Sequence, residues 1–214
     1  MALTLYSYWR ATAPYRVRIA LGLKGLAYDY IPVSLPKGEQ RAADYLERNP
    51  QGLTPMLVDG DAAMTQSLSL MEWLEETHPQ PPLLPADAAG RQVVRAMAGI
   101  IACDIHPLNN LRIQQQLTAF GVSAADRQVW VARWMHEGFE ALEPLIARHG
   151  AGFAFGSTPG MADCCLVPQV YSAERYGVDL SPYRAIRAAA AAAQALPAFA
   201  AAHPDRQPDA PAAA

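Results

Sequence analysis

Hydrophobic and polar positions alternate in two different ways along this chain. In the first part, short apolar runs typical of buried strands are separated by segments whose apolar residues recur at helical spacing. Gly25 follows one helical segment, and Asp59-Gly60 separates two apolar runs, so they predict a helix end and a hairpin turn. The pattern predicts a βαβ unit followed by ββα: strands at Leu3–Tyr6, Tyr28–Val33, Met56–Val58 and Ala62–Met64, and helices at Pro14–Lys24, Asp44–Arg48 and Ser67–Thr77.

Prolines between His78 and Pro85 end this alternation, because proline cannot continue a helix. Beyond them the apolar positions recur only at helical spacing, over 94–108, 135–146, 161–176 and 185–196. We therefore predict an α/β domain over residues 1–80, a linker over 81–89 and an all-α domain over 90–214. The Pro/Ala-rich tail from Pro204 onward is expected to be loosely ordered.

Composition excludes several classes of function. Of the 214 residues 51% are hydrophobic, and the net charge is −3, so neither a nucleic-acid nor a membrane-surface footprint is expected. No apolar run approaches the roughly 18 residues of a transmembrane helix, and no signal peptide is recognised. The histidines lack metal-ligand spacing, so no metal site is predicted. An odd set of cysteines (Cys103, Cys164 and Cys165) favours a reducing, cytoplasmic setting.

The segment from Ser7 to Arg16 holds the most informative chemistry. It joins an apolar strand to a helix N-terminus, where free backbone N–H groups and the helix dipole can hold an anion or a thiolate. No cysteine precedes Cys103, so this unit cannot perform dithiol exchange with its own sulfur. Any sulfur chemistry there must use a thiol from a bound molecule.

Several motifs together resemble the zeta class of glutathione transferases, which includes maleylacetoacetate and maleylpyruvate isomerases. The resemblance implies a thioredoxin-like domain followed by an all-helical domain, with glutathione as cofactor and, usually, a homodimer. Its motifs run through both predicted domains: residues 7–21, Asn49-Pro50, Thr54-Pro55, Gln66-Ser67, residues 72–76, residues 104–112 and residues 167–176.

The resemblance also implies how glutathione is held. Gln66 and Ser67, at a helix start, offer N–H donors to its γ-glutamyl carboxylate. A cis peptide between Thr54 and Pro55 would leave the Thr54 backbone facing the cysteinyl part. Two simpler explanations stay open: Ser67 as an ordinary N-cap and Pro55 as a strand-entry proline. The remaining residues that the resemblance places around the cofactor are Ala11, Thr12, Gln40, His106 and Asn110.

The loop departs from the family at the position that matters most. Zeta enzymes typically have Ser-Ser-Cys where this chain has Ala11-Thr12-Ala13, so the serine credited with stabilising the thiolate is alanine here. We interpret Thr12 as the side-chain donor to the sulfur, assisted by backbone N–H groups and Arg10. Tyr8 is the second candidate donor. The simpler alternative is that Thr12 only caps the following helix.

A maleyl keto acid has a carboxylate at each end, and arginine grips a carboxylate with two parallel N–H bonds. Arg10, Arg112 and Arg175 are the predicted substrate-binding cations, and Arg10, Thr12 and Arg175 the predicted catalytic residues. The alternative for Arg175 is a pair with Glu174 or a solvated position.

The resemblance implies a glutathione-dependent cis–trans isomerase of tyrosine or other aromatic catabolism, acting on maleylacetoacetate or maleylpyruvate. Two alternatives stay open. One is a transferase or dehalogenase that acts on α-halo acids, and the other is a non-catalytic glutathione-binding module.

Overall fold

A computed structural model describes residues 3–211 and divides the chain into two units. Leu84–Ala195 form the second unit, and the described residues on either side of that segment form the first. The helices, in chain order, are α1 (Thr12–Leu23), α2 (Ala43–Arg48), α3 (Ser67–Thr77), α4 (Ala88–Gly99), α5 (His106–Asn109), α6 (Leu111–Ala119), α7 (Ala124–His149), α8 (Met161–Arg175), α9 (Arg184–Gln194) and α10 (Pro197–Ala202).

A mixed sheet of four strands forms the centre of the first unit, in the order β2-β1-β3-β4. β1 is parallel to β2 and antiparallel to β3, which pairs antiparallel with β4. Leu5 faces Tyr30 in one neighbour and Leu57 in the other, and both Leu5 and Leu57 are fully buried. The bounds are β1 (Leu3–Ser7), β2 (Tyr28–Pro32), β3 (Met56–Asp59) and β4 (Ala62–Thr65), which confirms the predicted βαβ-ββα order.

Helix α1 is buried over most of its length because it packs against both α3 and α10. An ion pair joins α1 to α3: the Lys24 ammonium lies 2.7 Å from the carboxylate of Glu75, and both residues are buried. The same Glu75 oxygen accepts the backbone N–H of Leu83 at 2.7 Å. This carboxylate therefore ties the segment after α3 to the first unit.

The second unit is all-helical, as predicted, with a π-helical turn at Ile100–Ile105 between α4 and α5. Close packing of this turn against α7 requires Gly138, since a Cβ there would lie 2.2 Å from Cγ1 of Ile105. Helix α8 begins with a buried carboxylate, that of Asp163, which accepts the N–H groups of Gly160 at 3.0 Å and Ala154 at 2.8 Å. Burial raises the pKa of Asp163 to about 6.

Three sequence-based expectations need correction. Helix α1 begins at Thr12, two residues before Pro14, so the proline is not its first residue. Residues 196–211 group with the first unit, and α10 was not predicted; the predicted boundaries at 80, 81–89 and 90 therefore differ from the observed division. The tail is also not loosely ordered over 204–211, because the side-chain amide of Gln207 donates to the carbonyls of Ala201 at 3.0 Å and His203 at 2.9 Å. Residues 212–214 lie outside the described residues.

Within residues 3–211, no helix has the length and apolar character that crossing a bilayer requires.

Candidate functional site

The N-terminus of α1 presents a buried hydroxyl that has no partner. Ala11 is the N-cap residue and makes no side-chain capping bond, and the first helical bond runs from the Tyr15 N–H to the Ala11 carbonyl at 3.1 Å. Thr12 is the first helical residue, is only 6% exposed, and its Oγ1 has no hydrogen-bond partner. The alternative that Thr12 caps the helix is therefore wrong: the hydroxyl is held in a buried position without an internal bond.

Backbone donors accompany this hydroxyl. The N–H groups of Thr12 and Ala13 precede the first helical bond and have no acceptor within the helix, while Pro14 has no N–H at all. Together with the positive end of the helix dipole, they make the start of α1 a favourable position for a negative charge. A thiolate brought here would meet two backbone donors and one hydroxyl.

The turn before α1 is closed by a hydrogen bond from the Ala11 N–H to the Tyr8 carbonyl at 3.1 Å. Arg10 projects from this turn and is exposed, with its guanidinium carbon 5.5 Å from the ring centre of Trp9. Tyr8 is half-buried, and its ring meets that of Trp9 edge to face at 6.1 Å between centroids. An exposed arginine two residues before Thr12 suits recognition of an anionic partner.

The start of α3 is a second helix N-terminus whose free N–H groups favour a negative charge. Gln66 is the N-cap, and among residues 3–211 it is the only non-glycine residue with a positive φ, 69°. Such a backbone conformation costs energy and is concentrated at functional sites. Ser67 is the first helical residue, so the simpler explanation that it is the N-cap is wrong.

The buried guanidinium of Arg16 contacts the side chain of Ser67. Arg16 of α1 is 2% exposed, and its Nη1 donates to Ser67 Oγ at 3.1 Å. Because this bond makes Ser67 Oγ an acceptor, the hydroxyl proton of Ser67 is left for a further acceptor. The positive charge of Arg16 adds to the α3 dipole in favouring an anion there. Arg16 is not among the predicted site residues, although an arginine among the apolar residues of a buried helix is a signal for such a role.

Two other predicted cofactor residues lie in this unit. The peptide bond between Thr54 and Pro55, directly before β3, is cis, as the family resemblance implied. Gln40 lies in a 3-10 turn at Glu39–Arg41, and its side-chain oxygen is buried without a hydrogen-bond partner. A buried acceptor without a donor is uncommon, so a ligand donor is a reasonable partner for Gln40.

The other predicted residues belong to the helical unit. His106 begins α5, and Asn110 caps α6 by accepting the Ile113 N–H at 3.2 Å, which leaves the amide nitrogen of Asn110 as its remaining donor group. Arg112 is exposed on α6. Arg175 ends α8, is exposed, and its guanidinium carbon lies 4.7 Å from the ring centre of Tyr176.

A metal centre finds no support in the part of the chain that the structure describes. Within it, no three His, Cys, Asp or Glu residues lie together in a way that could hold a metal ion. The donors gathered at α1 and α3 are N–H groups, hydroxyls and guanidinium groups, which suit an anionic organic ligand.

Comparison with known proteins agrees with this chemistry. Residues 11–82 match the glutathione S-transferase N-terminal domain, and residues 128–213 match the glutathione S-transferase C-terminal domain. A probable maleylacetoacetate isomerase of Vibrio cholerae is 48% identical over 214 residues, which cover 98% of this chain and 99% of that protein.

Solved structures are similar over the same extent. The holo structure of a bacterial maleylpyruvate isomerase, a zeta-class glutathione S-transferase, has a TM-score of 0.94 and 48% identity, and the match covers 97% of this chain and 99% of that one. A maleylacetoacetate isomerase from Anaeromyxobacter dehalogenans, with dicarboxyethyl glutathione and citrate in its active site, has a TM-score of 0.89 and 41% identity, with 98% of both chains covered.

Proposed function

Because this chain belongs to the glutathione S-transferase family, we propose that it is a zeta-class, glutathione-dependent isomerase that converts a maleyl keto acid to its fumaryl isomer. The observation that carries the proposal is the buried, unpartnered hydroxyl of Thr12 beside the free N–H groups of α1. When bound, glutathione would supply a thiolate nucleophile for reversible addition to the cis double bond; the bond would be single until the thiolate is eliminated, so the trans product could form without consumption of glutathione.

The residues of the first unit fit the parts of glutathione. The N–H groups at the start of α3, the Ser67 hydroxyl and the nearby charge of Arg16 suit the γ-glutamyl carboxylate. The backbone of Thr54 suits the extended cysteinyl part, and the Gln40 oxygen suits an N–H donor. Ala11, Gln66, His106 and Asn110 complete the proposed set.

Thr12 and the Thr12 and Ala13 N–H groups stabilise the sulfur anion in this proposal. A hydrogen bond to a charged acceptor is worth about 1.5–3 kcal/mol, which corresponds to about one to two pKa units. The hydroxyl therefore shifts the bound thiol toward its thiolate form without acting as a base. Tyr8 stays the second candidate donor, with its ring directed against Trp9.

Arginines hold the substrate. We propose that Arg10, which projects from the turn before α1, binds one carboxylate and offsets the charge that develops on the keto oxygen. Arg175 is proposed for the other carboxylate, and stacking on Tyr176 pre-orients its guanidinium. Arg112 is a third, exposed candidate.

The test is turnover of maleylacetoacetate and of maleylpyruvate with glutathione far below the substrate concentration. We expect complete conversion of one of the two acids with no loss of total glutathione, and the ratio of kcat/KM values identifies the physiological acid. Consumption of one glutathione per turnover, together with activity on α-halo acids, would instead indicate a transferase or dehalogenase. Glutathione binding without a lowered thiol pKa and without turnover would indicate a binding module.

Arg175→Ala and Arg10→Ala are the informative variants in the same assay. Each is expected to raise KM for the maleyl acid while leaving the affinity for glutathione unchanged, and Arg10→Ala is also expected to lower kcat because Arg10 offsets charge that develops during the reaction. Arg133→Ala is the matched control for Arg175→Ala, because Arg133 is also exposed in the helical unit and stacks on an aromatic neighbour, Trp134, at 5.3 Å. Equal effects of the two substitutions would contradict a substrate role for Arg175.

We further propose a homodimer in a reducing cytoplasm. Its support is the family membership together with three cysteines, none of which is in a disulfide. Analytical ultracentrifugation tests the dimer, and a single species at the monomer mass of 23.1 kDa would contradict it.

A further inference from the structure

Both polar groups of the Trp9 backbone are held by charged side chains, one from Arg18 in α1 and one from Asp209 near the end of the chain. The Trp9 N–H donates to the carboxylate of Asp209 at 3.0 Å, although the two residues are 200 positions apart. The Trp9 carbonyl accepts Nη2 of Arg18 at 2.8 Å. Trp9 belongs to the turn from Tyr8 to Ala11 that leads directly into Thr12.

Arg18 fixes this turn by its hydrogen bond to the Trp9 carbonyl. It is 1% exposed, and two further donors of its guanidinium reach Ser7 Oγ and the Ala202 carbonyl, each at 3.1 Å. Its guanidinium carbon lies 5.1 Å from the ring centre of Tyr15. Burial lowers the pKa of Arg18, while three nearby tyrosines, Tyr30 foremost, and then Asp209 act in the opposite direction. A side chain with this many fixed donors holds its acceptors in one geometry.

Asp209, which lies on the Pro/Ala-rich tail, is also held by two hydrogen bonds. The Tyr30 hydroxyl of β2 donates to Asp209 Oδ1 at 2.7 Å, which leaves Oδ2 for Trp9. Burial and this hydrogen bond raise the pKa of Tyr30, so its proton stays on the hydroxyl. The Ala210 N–H donates to the Gln207 carbonyl at 3.0 Å, which turns the chain at this point.

We propose that Asp209 is a positioning residue for the reaction: the C-terminal tail, through Asp209 and together with Arg18, holds the turn that places Thr12 and its neighbouring N–H groups against the glutathione sulfur. This inference rests on the proposed function. Trp9 is three residues from Thr12, and the intervening turn is closed by only one backbone bond, so release of the Trp9 N–H loosens the approach to α1. Misplacement by about 1 Å can cost a catalytic group about 100-fold in rate.

The experiment compares Asp209→Ala, Asp209→Asn and Tyr30→Phe with the full-length wild type. Asp205→Ala is the matched control, since Asp205 is an exposed carboxylate on the same tail whose contacts, with His203, stay within the tail. The main readout is the pKa of the bound glutathione thiol, followed by the ultraviolet absorbance of the thiolate as pH is varied. Calorimetric affinity for glutathione, kcat and thermal unfolding are measured on the same samples.

We expect Asp209→Ala to raise the bound thiol pKa by about one unit and to lower kcat about tenfold or more, with a smaller change in glutathione affinity. Asp209→Asn keeps an acceptor for Trp9 and is expected to recover most of the loss. Tyr30→Phe removes one of the two bonds to Asp209 and is expected to shift the thiol pKa in the same direction by less. Asp205→Ala is expected to match the wild type.

An unchanged thiol pKa and kcat in Asp209→Ala, whatever its thermal stability, overturns the inference. If Asp209→Ala does not fold, Tyr30→Phe decides: a thiol pKa equal to that of the wild type overturns it. Failure of the proposed function is a different result, because there the wild type itself binds glutathione with an ordinary thiol pKa.

Discussion

Replacing Thr12 by valine tests whether the Thr12 hydroxyl serves a bound ligand or the stability of the fold. Valine has nearly the shape of threonine, so the substitution exchanges one hydroxyl for a methyl group in a position that is 6% exposed. Oγ1 of Thr12 has no hydrogen-bond partner, so no internal bond is lost. Removing an unsatisfied buried hydroxyl relieves a desolvation cost of about 1–3 kcal/mol.

We therefore expect the free energy of unfolding of Thr12→Val to equal or exceed that of the wild type by up to about 1 kcal/mol. A capping threonine would behave in the opposite way, because loss of a cap costs about 1 kcal/mol. The pKa of the bound glutathione thiol should rise in the same variant. The missing hydrogen bond to the sulfur anion, about 1.5–3 kcal/mol, raises the thiol pKa by about one to two units.

The assay combines denaturant unfolding of the free protein with titration of thiolate absorbance in the glutathione complex. Thr77→Val is the matched control, since Thr77 is an exposed threonine of the same unit whose hydroxyl donates to the Trp73 carbonyl at 2.7 Å. The control should leave the thiol pKa unchanged. Loss of stability in Thr12→Val with an unchanged thiol pKa would refute the reasoning and would make Tyr8 the first candidate for the donor to the sulfur.

Three further outcomes are expected. Ala11→Ser should supply the missing N-cap of α1, adding about 1 kcal/mol to the free energy of unfolding and lowering the bound thiol pKa; a gain in stability alone would show that the new hydroxyl does not reach the sulfur. The pKa of Asp163 rises from 3.8 to about 6 on folding, so the native state binds more protons in that range. As the pH rises from about 4 to about 6, the free energy of unfolding should fall by about 2 kcal/mol. Asp163→Asn should remove that slope in urea titrations, and an unaltered slope would contradict the assignment. Lys24→Met should lower the free energy of unfolding by about 3–5 kcal/mol in denaturant titrations, because it leaves the buried Glu75 carboxylate without its ammonium partner. Adding Glu75→Gln should recover part of the loss. Additive losses of stability in the double variant would argue against the pair.

Local patterns predicted the elements well where the local signal and the tertiary environment agree. Apolar spacing placed α3 at Ser67–Thr77, and the Asp59-Gly60 turn lies between β3 and β4 as predicted. The start of α1 was placed too late, because Pro14 is a strong local signal for a first helical residue. In the structure the helix begins at Thr12, so the Thr12 hydroxyl belongs to a buried residue of the first helical turn and not to the N-cap residue.

Sequence by itself determined which chemical groups are available: a cysteine-free N-terminal unit, a threonine between two alanines, and a polar strand-to-helix loop. Periodicity also fixed the division into α/β and all-α parts, since helical and strand spacing depend on neighbours a few residues away. Only the tertiary structure decided that Arg16 and Arg18 are buried and that Asp209 holds Trp9. Those contacts join backbone and side chains across up to 200 positions, and no local pattern encodes the partner of a backbone N–H so far along the chain.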